Sequence, residues 1–403
     1  MAGVIYDALA VRSHFPSLSS GFAHFDGPGG TQTPRQVGAA IALTLTRPLS
    51  NRGIGSLPEQ NADDAVTGFR QAMADLLGAV PRGVVYGRSA TQITYDFSRH
   101  LGRSWSAGDE IVVSRLDHDA NIRPWIQAAE HAGATVKWVD FDPATGELSA
   151  EAVTGQLTEH TRLVAVTAAS NLIGTRPPIA EIAAAVHSVG ALLWVDGVHY
   201  TPHASVDVAA LGADFFVCSP YKFLGPHCGV LVADPLLLES IHPDKLATST
   251  EVVPERFEFG TLPYELMAGV TAAVDFLAAL ASIGGSRRDR LVQASIALEQ
   301  HEAGLLAELE AGLAALPGVT VHSRARQRTP TVLVTFAEHS AADAAAFLAA
   351  RRVLAPAGSF YALEASKHLG LGSEGGLRIG LAPYNTAGEV QRLLTGLEDF
   401  LLG

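Results

Sequence analysis

Between Glu110 and Asp234 six short runs, EIVVSRL, TVKWVDF, RLVAVTA, ALLWVDGV, DFFVCS and GVLVAD, are almost continuously apolar and rich in β-branched residues. Strands of that kind are covered on both faces, because a half-solvated strand would alternate in polarity. The stretches between them, such as IRPWIQAAEHAG and IAEIAAAVHSVG, have helical spacing and close on Gly, a common helix stop. Upstream, DDAVTGFRQAMADLLGA sets Val66, Phe69, Met73 and Leu77 on one helical face. From about Asp63 to Phe257 the chain therefore reads as βαβ units around a mostly parallel sheet between helices.

After about Ser282 the rhythm changes. A long helical run, RDRLVQASIALEQHEAGLLAELEAGLAAL, leads into strands GVTVHS and TVLVTF, helices AADAAAFLAARR and ALEASKHLGL, strand GLRIGLA and a last helix. This is an α+β unit of its own, and 403 residues exceed what one core usually serves. The expected division is an N-terminal segment, 1–25, packing on the smaller unit; a large domain, 26–281; and a small C-terminal domain, 282–403. No internal repeat or low-complexity tract is present.

With 48% hydrophobic and 17% charged residues the chain can bury a core and is not a disordered sequence. A net charge of −13 argues against a nucleic-acid partner, which needs a basic footprint. Cys218 and Cys228 build no disulfide scaffold and lack metal-ligand spacing. No secretory pattern opens the chain, and no run reaches the roughly 18 apolar residues of a membrane span. A soluble, cytoplasmic enzyme is expected.

The chemistry is concentrated in ALLWVDGVHYTPH and DFFVCSPYKFLGPHCG. One strand ends in Asp196, the next ends in Ser219, and Lys222 follows at once. Strand carboxyl ends line the ligand crevice of a parallel α/β sheet, so an acid and an amine delivered there face one small molecule. These are the two groups pyridoxal 5'-phosphate requires: a lysine for the Schiff base and a carboxylate that keeps the pyridine nitrogen protonated. Alone, Asp196 would be a turn acid and Lys222 a surface lysine; the combination favours the cofactor. The segment VVYGRSATQITYD adds a strand, a turn from Gly87 to Thr91 and a helix, whose first N–H groups at Ala90 and Thr91, with the Thr91 hydroxyl, suit a phosphate.

VDGVH, SPYK-FLGPH-CG, LDHDAN-RPW, ASN-IGT, RFEFGT and LRIGLAPYNT resemble, in order and spacing, the class V aminotransferase family of fold type I pyridoxal-phosphate enzymes, above all its cysteine desulfurase and selenocysteine lyase branch. The resemblance runs from HFDGPGGTQTP to the last helix. It implies an α/β fold with a seven-stranded, mostly parallel sheet in a large domain and a smaller α+β domain. It also implies Lys222 as the Schiff-base lysine, Asp196 at the pyridine nitrogen and His118 stacked on the cofactor ring. His199, at a family glutamine, and Asn171 would meet the ring hydroxyl. Thr91, Ser219 and Tyr221, the last in place of a family histidine, would hold the phosphate. Thr261 would reach the phosphate of the other subunit, which implies a homodimer, with Arg52 near the neighbouring site. Arg378 would grip the carboxylate of a small amino-acid substrate.

Where desulfurases carry a nucleophilic cysteine, in LAPAGSFYALEA, this chain has Tyr361, and no cysteine follows Cys228. A phenol cannot carry a persulfide, which needs a polarizable thiolate. Carbon–sulfur β-elimination from a cysteine derivative is then the expected reaction, with transamination and epimerisation as alternatives, and a catalytically silent binding protein as the reading from another class. The segments LPEQNADD, PERFEFGTLPYE and PAGSFYALEA read as specificity loops. His199 and His203, four apart in HYTPH, would suit zinc on a helix, but Pro202 between them argues against a helix and no metal is expected. FDGPGG lacks the G-x-G-x-x-G spacing and reads as a tight turn at the site mouth.

Overall fold

The structure, a computed structural model, describes residues 6–281 and 284–403. The expected boundary between large and small domains, at 281/282, falls beside residues 282 and 283, outside the described residues.

Seven strands make the larger sheet: β1 (Val84–Gly87), β2 (Glu110–Ser114), β3 (Thr135–Val139), β4 (Thr161–Thr167), β5 (Leu192–Asp196), β6 (Phe215–Cys218) and β7 (Gly229–Ala233). Their order is β1-β7-β6-β5-β4-β2-β3. The run from β3 to β6 is parallel, and β7 lies antiparallel to both its neighbours. The mostly parallel seven-stranded sheet expected from the sequence is thus present. Because β7 runs backwards, the carboxyl ends of β1, β2, β4, β5 and β6 share one edge with the start of β7, where Gly87 pairs with Gly229.

Side-chain alternation splits the core across the two faces. Val112, Val164, Val195 and Phe216 pack with Phe69 and Met73 on one side. On the other, Ile111, Leu163, Trp194 and Val217 pack with Phe97 and Trp125. Trp194 is fully buried, its ring centroid 4.9 Å from that of Trp125, so truncating it to Ala would cost about 3–5 kcal/mol. The edge strand β3 differs from the expectation of strands covered on both faces. It is partly exposed, and Arg115 lies over the Trp138 ring at 4.5 Å, shielding it.

LPEQNADD also differs: it is no loop but the opening turns of the helix Leu57–Leu77, with Pro58 in its first turn, where a missing N–H costs nothing.

Four antiparallel strands, β8 (Val319–Val321), β9 (Thr331–Phe336), β10 (Ala357–Gly358) and β11 (Gly376–Gly380), form the second sheet in the order β10-β11-β9-β8. Its core joins Val332, Val334, Leu377 and Ile379 to Leu309 of the helix Arg287–Ala315 and Leu393 of Ala387–Leu402. The N-terminal segment lies against this part of the chain. Ala23–His24 pairs with Val353–Leu354, Tyr6 donates to the Pro383 carbonyl at 2.7 Å, and Arg12 meets Glu389 at 2.8 Å.

Candidate functional site

Strand ends deliver the site. Beyond β1, Ser89 caps the helix Ala90–Gly102 by accepting from the Gln92 N–H at 3.1 Å. Beyond β2 come Asp117 and His118; beyond β4, Asn171; at the end of β5, Asp196 and then His199; beyond β6, Ser219, Tyr221 and Lys222. From the second sheet, β11 contributes Arg378.

These residues surround two adjoining cavities that share Thr91, His118, Asn171, Tyr221 and Lys222. The inner one, of about 80 Å³, adds Ala90, Asp196, His199 and Ser219. The outer one, of about 430 Å³, adds Arg378, Tyr361, Tyr95, Arg123, Phe360 and the turn Pro28–Gly29. All the sequence-predicted site residues except Arg52 and Thr261 line one cavity or the other. Arg52 pairs with Asp63 at 2.9 Å and Glu255 at 3.0 Å, and Thr261 lines a separate cavity of about 170 Å³ beside Arg88 and Glu258.

The Lys222 amine donates to the carbonyl oxygen of Pro28. FDGPGG is therefore the tight turn at the mouth that the sequence suggested. Burial, with the nearby Arg378 charge, pushes the amine down to about 7, partly offset by Asp196. Burial also raises the Asp196 carboxyl to about 6, against the Val198 N–H donated to it at 2.8 Å and the Lys222 charge. A buried acid held that high lacks a strong cationic partner.

His118 accepts from the Ala120 N–H through Nδ1 at 3.0 Å, which leaves the ring proton on Nε2. Burial and the charges of Lys222 and Arg378 lower it to about 4, so the ring at the cavity wall is neutral. Its neighbour Asp117 escaped sequence reasoning, though it stands in the same LDHDAN segment. Burial is the main reason its carboxyl is raised to about 8; bonds from Asn121 and Ser114 oppose the shift, and Asp196 adds to it.

Phe360 and Tyr361 have φ of 53° and 58°, a left-handed pair that bulky residues adopt only under constraint. That geometry turns both carbonyls onto the cavity walls: Phe360 O accepts from Asn171 Nδ2 at 2.9 Å and Tyr361 O from the Asp119 N–H at 2.6 Å. Tyr361 itself is 76% exposed at the mouth. Cys218 and Cys228 are both buried, with burial raising both thiols far from thiolate formation.

The cavities fit pyridoxal phosphate on three observations. His199 Nδ1 and Asn171 Oδ1 are buried polar atoms without partners among the described residues. Asp196 is a buried carboxyl that a pyridine nitrogen would satisfy. At the helix start, a Cβ on Gly229 would stand 2.6 Å from the Ala90 nitrogen, so only glycine leaves that backbone free to cradle an anion.

This fold and this set of groups define a fold type I pyridoxal-phosphate enzyme. The chain belongs to the class-V aminotransferase family, whose model matches residues 23–393. It is 34% identical over 97% of its length, and 98% of the relative's, to an uncharacterized protein of Mycobacterium tuberculosis. It is 30% identical, over 98% of both chains, to a cysteine desulfurase of Pectobacterium carotovorum. Among solved structures, the Escherichia coli cysteine desulfurase CsdA superposes with a TM-score of 0.87 at 26% identity, covering 99% of each chain.

Proposed function

We propose that this enzyme eliminates the β-substituent from a cysteine derivative, breaking the carbon–sulfur bond without a protein thiol. The observation that carries this reading is the occupancy of the mouth loop by Tyr361, with both cysteines of the chain buried under the sheet edge. A thiolate nucleophile has no route to the cavity.

When bound, pyridoxal phosphate supplies an aldehyde that engages amines and a cationic ring that withdraws electrons from the substrate Cα. Asp196 would hold the proton on the ring nitrogen, and the Ala90–Thr91 helix start with Ser219 and Tyr221 would bind the phosphate. Lys222, its amine lowered to about 7, would hold the cofactor by its aldehyde and, once the substrate amine has displaced it, would be the base placed to take the Cα proton. His118, at the cavity wall, would cover one face of the ring. Arg378, whose buried Nε has no partner among the described residues, offers a planar donor to the substrate carboxylate. Once the sulfur leaves, water completes the change of a free cysteine to pyruvate, ammonia and sulfide.

We further infer a homodimer, since Thr261 is exposed and lines a cavity separate from the two that Lys222 joins, and a cytoplasmic site of action. The division into 1–25, 26–281 and 282–403 remains our proposal for the domains.

Product analysis tests the reaction. The holoprotein, given cysteine and its S-substituted derivatives, should release pyruvate in step with the sulfur product. Alanine as co-product, a pyridoxamine end state, or racemised substrate without pyruvate would each refute it. Sedimentation equilibrium tests the dimer.

A further inference from the structure

HYTPH, set aside as a metal motif, is a turn whose two imidazoles lie edge to face, 5.2 Å between centroids, at the junction of the two sheets. His199 lines the inner cavity, and its far nitrogen, Nε2, meets two hydroxyls beside β9. Thr331 Oγ is 2.9 Å away and Thr329 Oγ 3.1 Å. All three side chains are buried. Behind His199, His203 Nδ1 lies 2.9 Å from Glu302 Oε2 in the helix Arg287–Ala315.

Proton accounting fixes the tautomer. The Thr329 hydroxyl has a second acceptor, the Gly174 carbonyl at 3.4 Å, whereas Thr331 Oγ has no partner but His199 among the described residues. If Nε2 carried the ring proton, the fully buried Thr331 hydroxyl would have nowhere to donate, a cost of about 1–3 kcal/mol. If Thr331 donates to Nε2, both hydroxyl protons are satisfied and the ring proton sits on Nδ1. That nitrogen is buried and without a partner among the described residues. A donor is then left at the wall of the inner cavity with no acceptor among the described residues.

We propose that Thr331 is a positioning residue that locks His199 as the Nδ1–H tautomer, so that His199 donates to the phenolic oxygen of the bound cofactor. Resting on the pyridoxal-phosphate reading above, this assigns to the second sheet the proton placement at the cofactor's ring oxygen. The lock requires a neutral ring, and the surroundings keep it so. Burial, then any charge on His203, then Lys222 and Arg378 all disfavour protonation of His199. Asp196, His118 and Tyr221 complete the titratable groups around the same cavity.

The test is a pH titration of the yellow band of the full-length protein loaded with pyridoxal phosphate. A phenolate held by an outside donor binds the chromophore's proton less tightly, so removing the donor raises the pH at which the band bleaches. Thr331→Val, nearly isosteric, should raise that midpoint by about 0.5–1 pH unit, roughly a three- to tenfold change in the proton equilibrium. Thr331→Ser should restore it. In a His199→Phe background, Thr331→Val should shift nothing further. A Thr331→Val midpoint equal to wild type, or the same shift with Phe at 199, overturns the proposal. Nitrogen-15 histidine spectra of the wild-type protein give an independent check that needs no variant. An unprotonated His199 Nε2 supports the lock and a protonated one overturns it. A wild-type protein that stays colourless with pyridoxal phosphate refutes the underlying cofactor reading instead.

Discussion

Arg378 donates from Nη1 to the main-chain oxygen of Asn171, 2.9 Å away, and so joins the second sheet to the loop that carries a pocket asparagine of the first. The same guanidinium lies 3.7 Å from the centre of the Phe360 ring. Held on one edge and one face, it keeps Nε without a partner among the described residues, and burial lowers the group to about 9.

A planar donor fixed in this way cannot be replaced by a flexible ammonium. Arg378→Lys should raise KM for the amino-acid substrate about 10- to 100-fold, the equivalent of losing one charge-assisted bond of roughly 1.5–3 kcal/mol. Steady-state kinetics with an intact cofactor band checks this; an unchanged KM contradicts it.

Cofactor capture should follow the protonation of Lys222. Only the neutral amine attacks an aldehyde, and the amine lowered to about 7 is half neutral at that pH, whereas an ordinary lysine requires about pH 10.4. The rate of band formation on adding pyridoxal phosphate to apoprotein should therefore climb between pH 6 and about 8 and then level off. Stopped-flow traces that keep rising to pH 10 would contradict the lowered value. After borohydride, which bleaches the imine band and fixes the pyridoxyl group on the lysine, Lys222→Ala should keep no pyridoxyl label through desalting whereas the wild type should.

Asp196→Asn keeps the shape of the side chain and the Val198 contact while removing the charge that the ring nitrogen needs. Turnover should fall by at least about 10²-fold, since a preorganised electrostatic partner commonly contributes 10²–10³. A variant that retains cofactor and more than a tenth of the wild-type kcat would argue against this pairing.

After incubation with cysteine, intact-protein mass spectrometry should find no species one sulfur heavier. Tyr361→Cys, placing a thiol at the exposed mouth position, is expected to create one. A persulfide on the wild-type chain would refute the thiol-free reading.

Outside the two adjoining cavities, Arg70 and Glu258 form a buried bidentate pair, with contacts of 3.0 and 2.8 Å, and Glu258 also accepts from the Tyr86 N–H at 2.8 Å. Glu258→Ala leaves Arg70 only the half-buried Glu255, 3.3 Å away, as a carboxylate partner beneath β1 and should cost about 1.5–3 kcal/mol. Chemical denaturation would measure it, and a loss below 1 kcal/mol would show that water reaches the site.

The apolar runs and their helical spacers determined, unaided, the mostly parallel sheet and the edge on which Asp196 and Lys222 meet, while LDHDAN, VDGVH and SPYK carried the resemblance that implied the family and its seven strands. That information is local, because strand periodicity and strand-end chemistry are written in neighbouring residues. Other features required the fold. Pro28 reaches the Lys222 amine across 194 positions, and Thr331 reaches His199 across 132. Neither contact has a sequence signature, for a carbonyl or a hydroxyl gains its meaning only from what faces it. Asp117 was missed for the same reason, as its raised carboxyl comes from burial, which residue identity does not specify. The left-handed Phe360–Tyr361 pair is set by hydrogen bonds from distant loops against the local preference of both residues. Tertiary contacts decided the shape of the mouth, and with it which chemistry the pocket admits.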